Sequence, residues 1–209
     1  MNEAGELEME DGTVVPDLDV IIFCTGYDYS FPFLSPSIGV TWDVGTRRVG
    51  PLYKQLFHPL NPSLSFIGLP HSVVPFPLFE AQAMLVAESV KSGFENLPGR
   101  EERVAEANAD YVGMGPNKSR IADTHYLGPQ QWDYCLEMVS LVGDGLTDEE
   151  ALYFKTNEEI YNHAGEKRKE CSLGGKDGYR EMNYFRDHDT QVWGVLEGER
   201  INEGVGVGK

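Results

Sequence analysis

The sequence has few basic residues and no long apolar run. Lys and Arg number 17 against 34 Asp and Glu, which gives a formal net charge of −17. Such a charge repels nucleic-acid phosphates and anionic lipid surfaces, so neither is an expected partner. No apolar stretch approaches the roughly 20 residues that a membrane-spanning helix needs. The 41% of hydrophobic residues nevertheless suffices for a globular core, so we expect a folded protein.

Cysteine is also scarce, and the histidines lack metal-ligand spacing. Cys24, Cys135 and Cys171 are odd in number and far apart, without a C-x-x-C pair, which indicates neither a disulfide framework nor a zinc site. Cys24 lies in an apolar run and is expected to be a small buried side chain rather than a reactive thiol. We expect each histidine at the surface or in a loop, and no metal is predicted; the five are His58, His71, His125, His163 and His188.

The N-terminal segment shows no secretory signal. Residues 1–11 carry five acidic side chains and no basic one, whereas a signal peptide begins with a basic region. The expected location is therefore the reducing cytoplasm. A membrane association through sequence outside this chain stays open.

The N-terminal third predicts a hairpin followed by a buried strand. Acidic and apolar residues alternate from Glu6 to Glu10, Asp11-Gly12 is a turn dipeptide, and an extended return follows at Thr13. The run Leu18–Phe23 is apolar on both faces except at Asp19, as in a central strand of a parallel sheet. It ends at Thr25-Gly26-Tyr27, which either allows close approach of a dinucleotide or is an ordinary turn glycine.

A second strand, loop and helix follow a proline-rich stretch. Five prolines between residues 28 and 62 argue against long helices there. Leu64–Gly68 is predicted to form a buried strand, and a loop then leads to an amphipathic helix over about Leu78–Ser92. We expect that loop to lie in the best-formed cleft.

The remainder of the chain predicts helices and a frayed tail. Helices are expected over Arg100–Tyr111, Gln130–Leu141 and Thr147–Asn162, the last with a capping box formed by Thr147 and Glu150. Residues 166–209 are rich in glycine and charge, and the tail from Glu203 is expected to fray.

Several segments of the chain resemble the flavin-containing monooxygenases, which belong to the two-dinucleotide-domain flavoproteins. The segment 11–27 is similar to the family run D-G-T…T-G-Y. More specific matches are Leu52-Tyr-Lys54, Phe57-His-Pro59, Leu64-Ser-Phe-Ile-Gly-Leu-Pro70 and Phe79-Glu-Ala-Gln-Ala83, in the family's order and spacing. The element Gln131-Trp-Asp-Tyr134 resembles one in the C-terminal extensions of these proteins, which carries the likeness loosely to about residue 195.

The resemblance implies an α/β fold, namely a partial, Rossmann-like FAD/NAD(P)-binding fragment with a helical C-terminal extension. The implied organisation is the end of the NADPH-binding domain and a hinge at 1–27, the C-terminal part of the FAD-binding domain at 28–97, a mostly helical extension at 98–195 and a flexible tail at 196–209. The helix near Phe79 is expected to direct its partly positive start and free N–H groups at the flavin. The implied cofactor-binding residues are Thr25, Gly26, Tyr27, Gly68, Leu69, His71, Ser72, Pro75 and Phe76.

The implied activity is that of a monooxygenase that uses FAD and NADPH. In the family, a C4a-hydroperoxyflavin oxygenates soft nucleophiles such as amine nitrogen or thioether sulfur, so the partners are a small nucleophilic substrate and O2; an oligomer is compatible with the sequence. The sequence contains no G-x-G-x-x-G, the loop that holds a dinucleotide pyrophosphate, and it lacks the family's F-x-G-x-x-x-H fingerprint. We therefore expect the chain alone to be inactive. Two alternatives stay open: a non-catalytic module of the same fold, and part of a Baeyer–Villiger ketone monooxygenase.

Overall fold

The computed structural model describes residues 6–16, 18–24, 28–43, 48–112, 124–174, 182–187, 189–197 and 200–203. These ranges contain four α-helices and three small antiparallel sheets. The helices are α1 Pro75–Lys91, α2 Arg100–Val112, α3 Gln131–Ser140 and α4 Asp148–Gly174. The strands are β1 Leu7–Glu8, β2 Val14–Val15, β3 Thr41–Asp43, β4 Arg48–Gly50, β5 Asn183–Arg186, β6 Trp193–Glu197 and β7 Arg200–Glu203.

The predicted N-terminal hairpin is confirmed, whereas the predicted strand after it is wrong. β1 pairs antiparallel with β2 around Gly12, whose φ is +82°. The run Leu18–Phe23 forms no strand, and Ile22 and Phe23 expose 79% and 83% of their surface. Cys24, predicted to be buried, is exposed as well. An apolar run becomes a central strand only between two paired neighbours, and no described strand lies beside this one.

The proline-rich stretch contains no long helix in its described parts, as predicted. Its regular elements are a 3₁₀-helix at Pro36–Ile38 and the β3–β4 hairpin. A small apolar cluster gathers Val40, Val49 and Leu52 against Phe66 and Leu69. This cluster attaches the hairpin to the segment that precedes α1.

The predicted buried strand at Leu64–Gly68 is also wrong. Ser65 forms a single bridge with Phe57, and the Phe66 amide donates to the Leu56 carbonyl at 2.8 Å. Phe66 is buried, but Ile67 is 47% exposed. The chain cannot stay extended here because Gly68 has a φ of +89°, which turns it out of the β region.

The main core lies between α1 and α3 and includes residues from both sides of position 97. Fully buried side chains include Leu56 from the segment between β4 and α1, Leu85 from α1, Met138 from α3 and Phe154 from α4. The helix predicted over 78–92 begins three residues earlier, at Pro75. Proline is favoured in the first turn, where its missing N–H would have no partner within the helix. The core therefore anchors α1, the element that follows the candidate loop.

The predicted C-terminal helices are confirmed, and α4 is longer than predicted. The capping box is present: the Glu150 amide donates to Thr147 Oγ1 at 3.2 Å, and Glu150 Oε2 accepts from the Thr147 amide at 2.9 Å. α4 continues beyond the predicted end at residue 162, to Gly174. None of the helices within the described ranges is long and apolar enough to cross a bilayer.

A three-stranded sheet, β5-β6-β7, was not predicted from the sequence. It contacts α4 through Trp193, whose Nε1 donates to Glu159 at 3.0 Å, and through Tyr184, whose hydroxyl lies 3.0 Å from His163 Nδ1. The segment predicted to be mostly helical thus also carries a sheet. All strand pairs within the described ranges are antiparallel, and the parallel contact is one bridge between His71 and Tyr126. The Rossmann-like part of the fold class remains a prediction.

Candidate functional site

The loop between Gly68 and Val74 is held at its first end by a buried glutamine. The Gly68 amide donates to Gln82 Oε1 at 2.9 Å, and Gln82, on α1, is fully buried. Gln82 Nε2 donates to the Tyr134 hydroxyl at 2.8 Å, which in turn donates to the Lys54 carbonyl at 2.8 Å. Buried polar groups of this kind stabilise one arrangement only when every partner is present. α1 and α3 therefore fix where the loop begins.

A second buried glutamine holds the other end. Gln131, 2% exposed at the start of α3, accepts from the Val74 amide at 2.5 Å and donates to the Val74 carbonyl at 3.3 Å. The side-chain amide thus pairs with both polar groups of one backbone residue. Gln82 and Gln131 together form what we call the glutamine clamp.

The middle of the loop has a fixed backbone and exposed side chains. The His71 amide donates to the His125 carbonyl at 2.8 Å, and the Leu127 amide donates to the His71 carbonyl at 3.3 Å. The His71 and Ser72 side chains are exposed, and Ser72 has a φ of +60°. This combination presents two polar side chains on a rigid support, as a binding loop requires.

Gly68 cannot be replaced by a larger residue without disturbing its surroundings. Besides its positive φ, a Cβ built there would lie 3.1 Å from the Phe79 ring. The next residue, Leu69, is buried, and its carbonyl accepts from the Tyr29 hydroxyl at 3.2 Å. Gly68 and Leu69 therefore shape the loop, while His71 and Ser72 face outward.

The start of α1 offers fewer backbone donors than the sequence led us to expect. Pro75 and Pro77 carry no N–H, and the Val74 N–H is bonded to Gln131. Of these first four positions, Phe76 supplies the remaining N–H, and its ring is 81% exposed. The expectation of several free N–H groups is corrected to one, although the partial charge of the helix start remains.

The structure brings six of the nine predicted binding residues onto one segment. Gly68, Leu69, His71, Ser72, Pro75 and Phe76 lie along the clamped loop and the first turn of α1. Thr25, Gly26 and Tyr27 lie outside the described residues, so their distance from the loop remains a prediction. No role was predicted for four residues of the family-like motifs: Gln82, Gln131, Tyr134 and Lys54. Each could have been recognised as a polar residue on an otherwise apolar helix face or loop.

Two of the histidines predicted to lie at the surface or in a loop, His58 and His125, lie in loops and are buried there. His125, 2% exposed, accepts from the Val49 amide through Nε2 at 3.0 Å, and its Nδ1 lies 3.2 Å from Gln55 Oε1. His58, 5% exposed, accepts from the Leu60 and Asn61 amides through Nδ1 at 3.1 and 2.9 Å. Histidine can replace a missing backbone partner in irregular loops, which spacing in the sequence does not reveal. The described part of the chain contains no cluster of three or more His, Cys, Asp or Glu suited to a metal ion.

Lys54 joins the loop network to two acidic side chains. Its Nζ lies 2.8 Å from Glu106 on α2 and 2.6 Å from Glu137 on α3. Burial alone would lower the pKa of Lys54, but the hydrogen bonds to both carboxylates outweigh it and raise the pKa above its ordinary value. Burial, together with the charge of Glu106, raises the pKa of the adjacent Tyr53 to about 12. Lys54 is thus a charged side chain that links the loop network to α2 and α3 through ion pairs, and it is not a proton donor near neutral pH.

Three clefts lined by described residues lie away from the clamped loop. A narrow one surrounds His125, one of about 450 Å³ lies beside Lys54, and one of about 510 Å³ lies between α1 and β5. Four of the nine residues that line the third are acidic, and Arg186 is stacked 4.4 Å over the Tyr153 ring. Residues 69–76 line none of these three clefts. The three clefts therefore give no support to the expectation that the loop lies in the best-formed cleft.

Comparisons with known proteins agree on one family. The sequence model described as "Flavin-binding monooxygenase-like" matches residues 2–143. The chain is 39% identical over 159 residues to "Flavin-containing monooxygenase FMO GS-OX-like 4" of Arabidopsis thaliana, covering 75% of this chain and 34% of that protein. It is 37% identical over 182 residues to "Flavin-containing monooxygenase FMO GS-OX-like 6" of the same plant, covering 84% and 36%.

A solved structure gives the same result. The S-allyl-L-cysteine S-oxygenase from Allium sativum superposes with a TM-score of 0.62 at 36% identity, covering 86% of this chain and 38% of that one. The chain spans about a third of the length of the curated relatives it matches.

Proposed function

The chain belongs to the flavin-binding monooxygenase-like family, and on that premise we propose that it forms the flavin-edge part of a monooxygenase that uses FAD and NADPH. Its substrate would be a small soft nucleophile, with thioether sulfur favoured over amine nitrogen. Sulfur is favoured because the similar solved structure is that of an S-oxygenase.

The clamped loop is the observation that carries this proposal. Its backbone is bonded at both ends and in the middle to α1, α3 and the segment around His125. When bound, the flavin supplies the redox and oxygen chemistry, and the protein supplies position and exclusion of water. In our proposal His71, Ser72 and the Phe76 N–H contact the edge of the ring, while Gly68 and Leu69 set its distance from the core.

The residues present fit one wall of a flavin site and not a complete one. The partly positive start of α1 suits close contact with an anionic ring edge. A pyrophosphate, however, needs several backbone N–H groups, and two of the first three positions of α1 are proline. We propose that Thr25, Gly26 and Tyr27 form the second contact and that the phosphate-binding segments belong to the rest of the family fold.

The test is a cofactor and turnover assay on two samples. The first is the isolated chain with excess FAD and NADPH, and the second is the chain co-expressed with the part of the Allium sativum S-oxygenase that it does not cover. We expect no NADPH consumption from the first sample and thioether-dependent consumption from the second, since hydride transfer needs both nucleotides held near contact.

Matched substrates and blanks make the result specific. Methyl p-tolyl sulfide and N,N-dimethyl-p-toluidine present sulfur and nitrogen on the same aromatic frame, and a sample without FAD gives the background. Turnover by the isolated chain would overturn the proposal that it is one part of the site. Faster consumption with the amine would reverse the preference for sulfur.

A non-catalytic module of the same fold is the second candidate. It is favoured by the proline-rich start of α1, which leaves one backbone donor where an anion site uses several. A soluble co-expressed complex that retains no flavin absorbance would support it. A Baeyer–Villiger activity would instead appear as NADPH consumption with a cyclic ketone and not with the sulfide.

A further inference from the structure

α1 is apolar on two faces, and the structure covers only one of them. Its inner face is buried in the core through Leu78, Ala81 and Leu85, with the polar Gln82 and Ser89 among them. Its outer face carries Phe76, Phe79, Ala83, Ala87 and Val90, which we call the outer stripe; all five are exposed. At 3.6 residues per turn these five fall within an arc of about 80°.

The outer stripe is too apolar for a helix face that meets water. Phe76 and Val90 expose 81% and 63% of their surface, and Phe79 exposes 37%. The charged residues of α1, which are Glu80, Glu88 and Lys91, fall within an arc of about 80° between the two apolar faces. An ordinary surface helix has one apolar stripe, whereas α1 has two, and contiguous exposed apolar patches mark interaction sites.

We infer that the outer stripe is the docking face for the part of the family fold that this chain does not span, carried on a separate polypeptide or on further sequence. This inference rests on the proposed function, which treats the chain as one part of a larger flavoprotein. The chain spans about a third of its relatives, so most of the protein that could cover the stripe lies outside these residues.

The chemistry of the stripe and of the whole chain selects this occupant over a second copy. The stripe carries no charge, so its partner must present an uncharged apolar surface. Two copies of this chain would each bring a net charge of −17 to the contact, which opposes self-association. A second exposed apolar segment, Val20–Phe23, indicates that the missing cover is larger than one helix face.

The test measures association rather than catalysis. The 209-residue chain and a tagged form of the Allium sativum S-oxygenase lacking the matched region are purified separately for isothermal titration and co-expressed for co-purification. Val90→Lys and Ala83→Lys place a charge on the stripe at exposed helical positions, where lysine is a good helix former. Each is expected to weaken association by at least about 30-fold, because an unpaired interfacial charge is costly.

Leu152→Lys is the matched control, because it adds the same charge at an exposed apolar position of α4. It should bind like the unchanged chain. Unaltered association in the stripe variants, or no association of the unchanged chain, overturns the inference.

Sedimentation velocity of the chain alone gives a second readout. A monomer supports the inference, whereas a dimer that Val90→Lys disrupts assigns the stripe to self-association and overturns it. A complex that depends on the stripe but shows neither bound flavin nor turnover would overturn the proposed function and leave this inference standing.

Discussion

Residues 18–24 and the main core between α1 and α3 use apolar side chains in opposite ways. In the first region, Ile22 and Phe23 are about four-fifths exposed, while in the second Leu85 and Met138 are fully buried. The second region also has a polar scaffold, because Gln82 and Gln131 bond loop backbone to helices distant in sequence. An apolar run therefore indicates a need for cover, and whether it is covered depends on elements far away in the chain.

Thiol reactivity should show the largest difference between the two regions. Cys24 is exposed, whereas Cys135 is fully buried, and burial raises the pKa of its thiol to about 12. The thiolate is the reactive form, so at pH 8 only about one Cys135 in ten thousand is reactive even before access is considered. In a Cys171→Ser background, we expect Cys24 to react with DTNB at least about 1,000-fold faster.

Denaturant provides the control for this measurement. In urea sufficient to unfold the chain, both thiols should react at similar rates. Comparable rates in native buffer would show that α3 opens readily or that residues 18–24 are covered, and would remove the contrast. Cys24→Ser should abolish the fast phase.

Truncation of apolar side chains should show the next largest effect. Leu85→Ala creates a cavity in the core and should lower the free energy of unfolding by about 2–5 kcal/mol. Ile22→Ala removes a side chain that is already 79% exposed and should change it by less than about 0.5 kcal/mol. Urea titrations followed by the fluorescence of the buried Trp132 measure both. An equal loss from the two variants would mean that residues 18–24 pack against the core.

Two glycines with nearly the same φ give the smallest and most specific comparison. Gly12 and Gly68 have φ values of +82° and +89°, but a Cβ at Gly12 meets nothing within 4 Å, whereas one at Gly68 meets Phe79. Gly12→Ala isolates the strain of the positive φ, which we expect to cost about 1–2 kcal/mol, and Gly68→Ala adds the Phe79 contact, so it should be the more destabilising of the two. Thermal unfolding of the two variants gives the difference, and identical shifts would show that Phe79 moves aside freely.

Local signals in the sequence predicted the local elements of the fold. The hairpin at Asp11-Gly12 and the capping box at Thr147 were predicted because each depends on residues no more than eight positions apart. The strand predictions at 18–23 and 64–68 were wrong because a strand forms only beside a pairing partner, and the periodicity of a segment does not show whether one is present. The β5-β6-β7 sheet was missed because glycine and charged residues in this segment obscured the alternation of apolar and polar side chains.

The candidate site was predicted in part for the same reason. His71 and Ser72 were named from their position beside the family-like segments and Phe76 from a motif within them, whereas the clamp that holds the loop was not predicted. Gln82 and Gln131 act across 14 and 57 positions, and a buried glutamine in a sequence looks like a solvent-facing one. Their role follows from burial and bonding, which only coordinates provide.

The glutamine clamp has a consequence for how the chain folds during its synthesis. Gln131 follows its partner Val74 by 57 residues, Tyr134 follows Gln82 by 52, and His125 follows Val49 by 76. Contacts of such sequence separation form slowly because loop closure must come first. On the ribosome the loop stays unfastened until α3 has left the exit tunnel, so a nascent chain paused before residue 131 exposes Leu78 and Leu85 to chaperones.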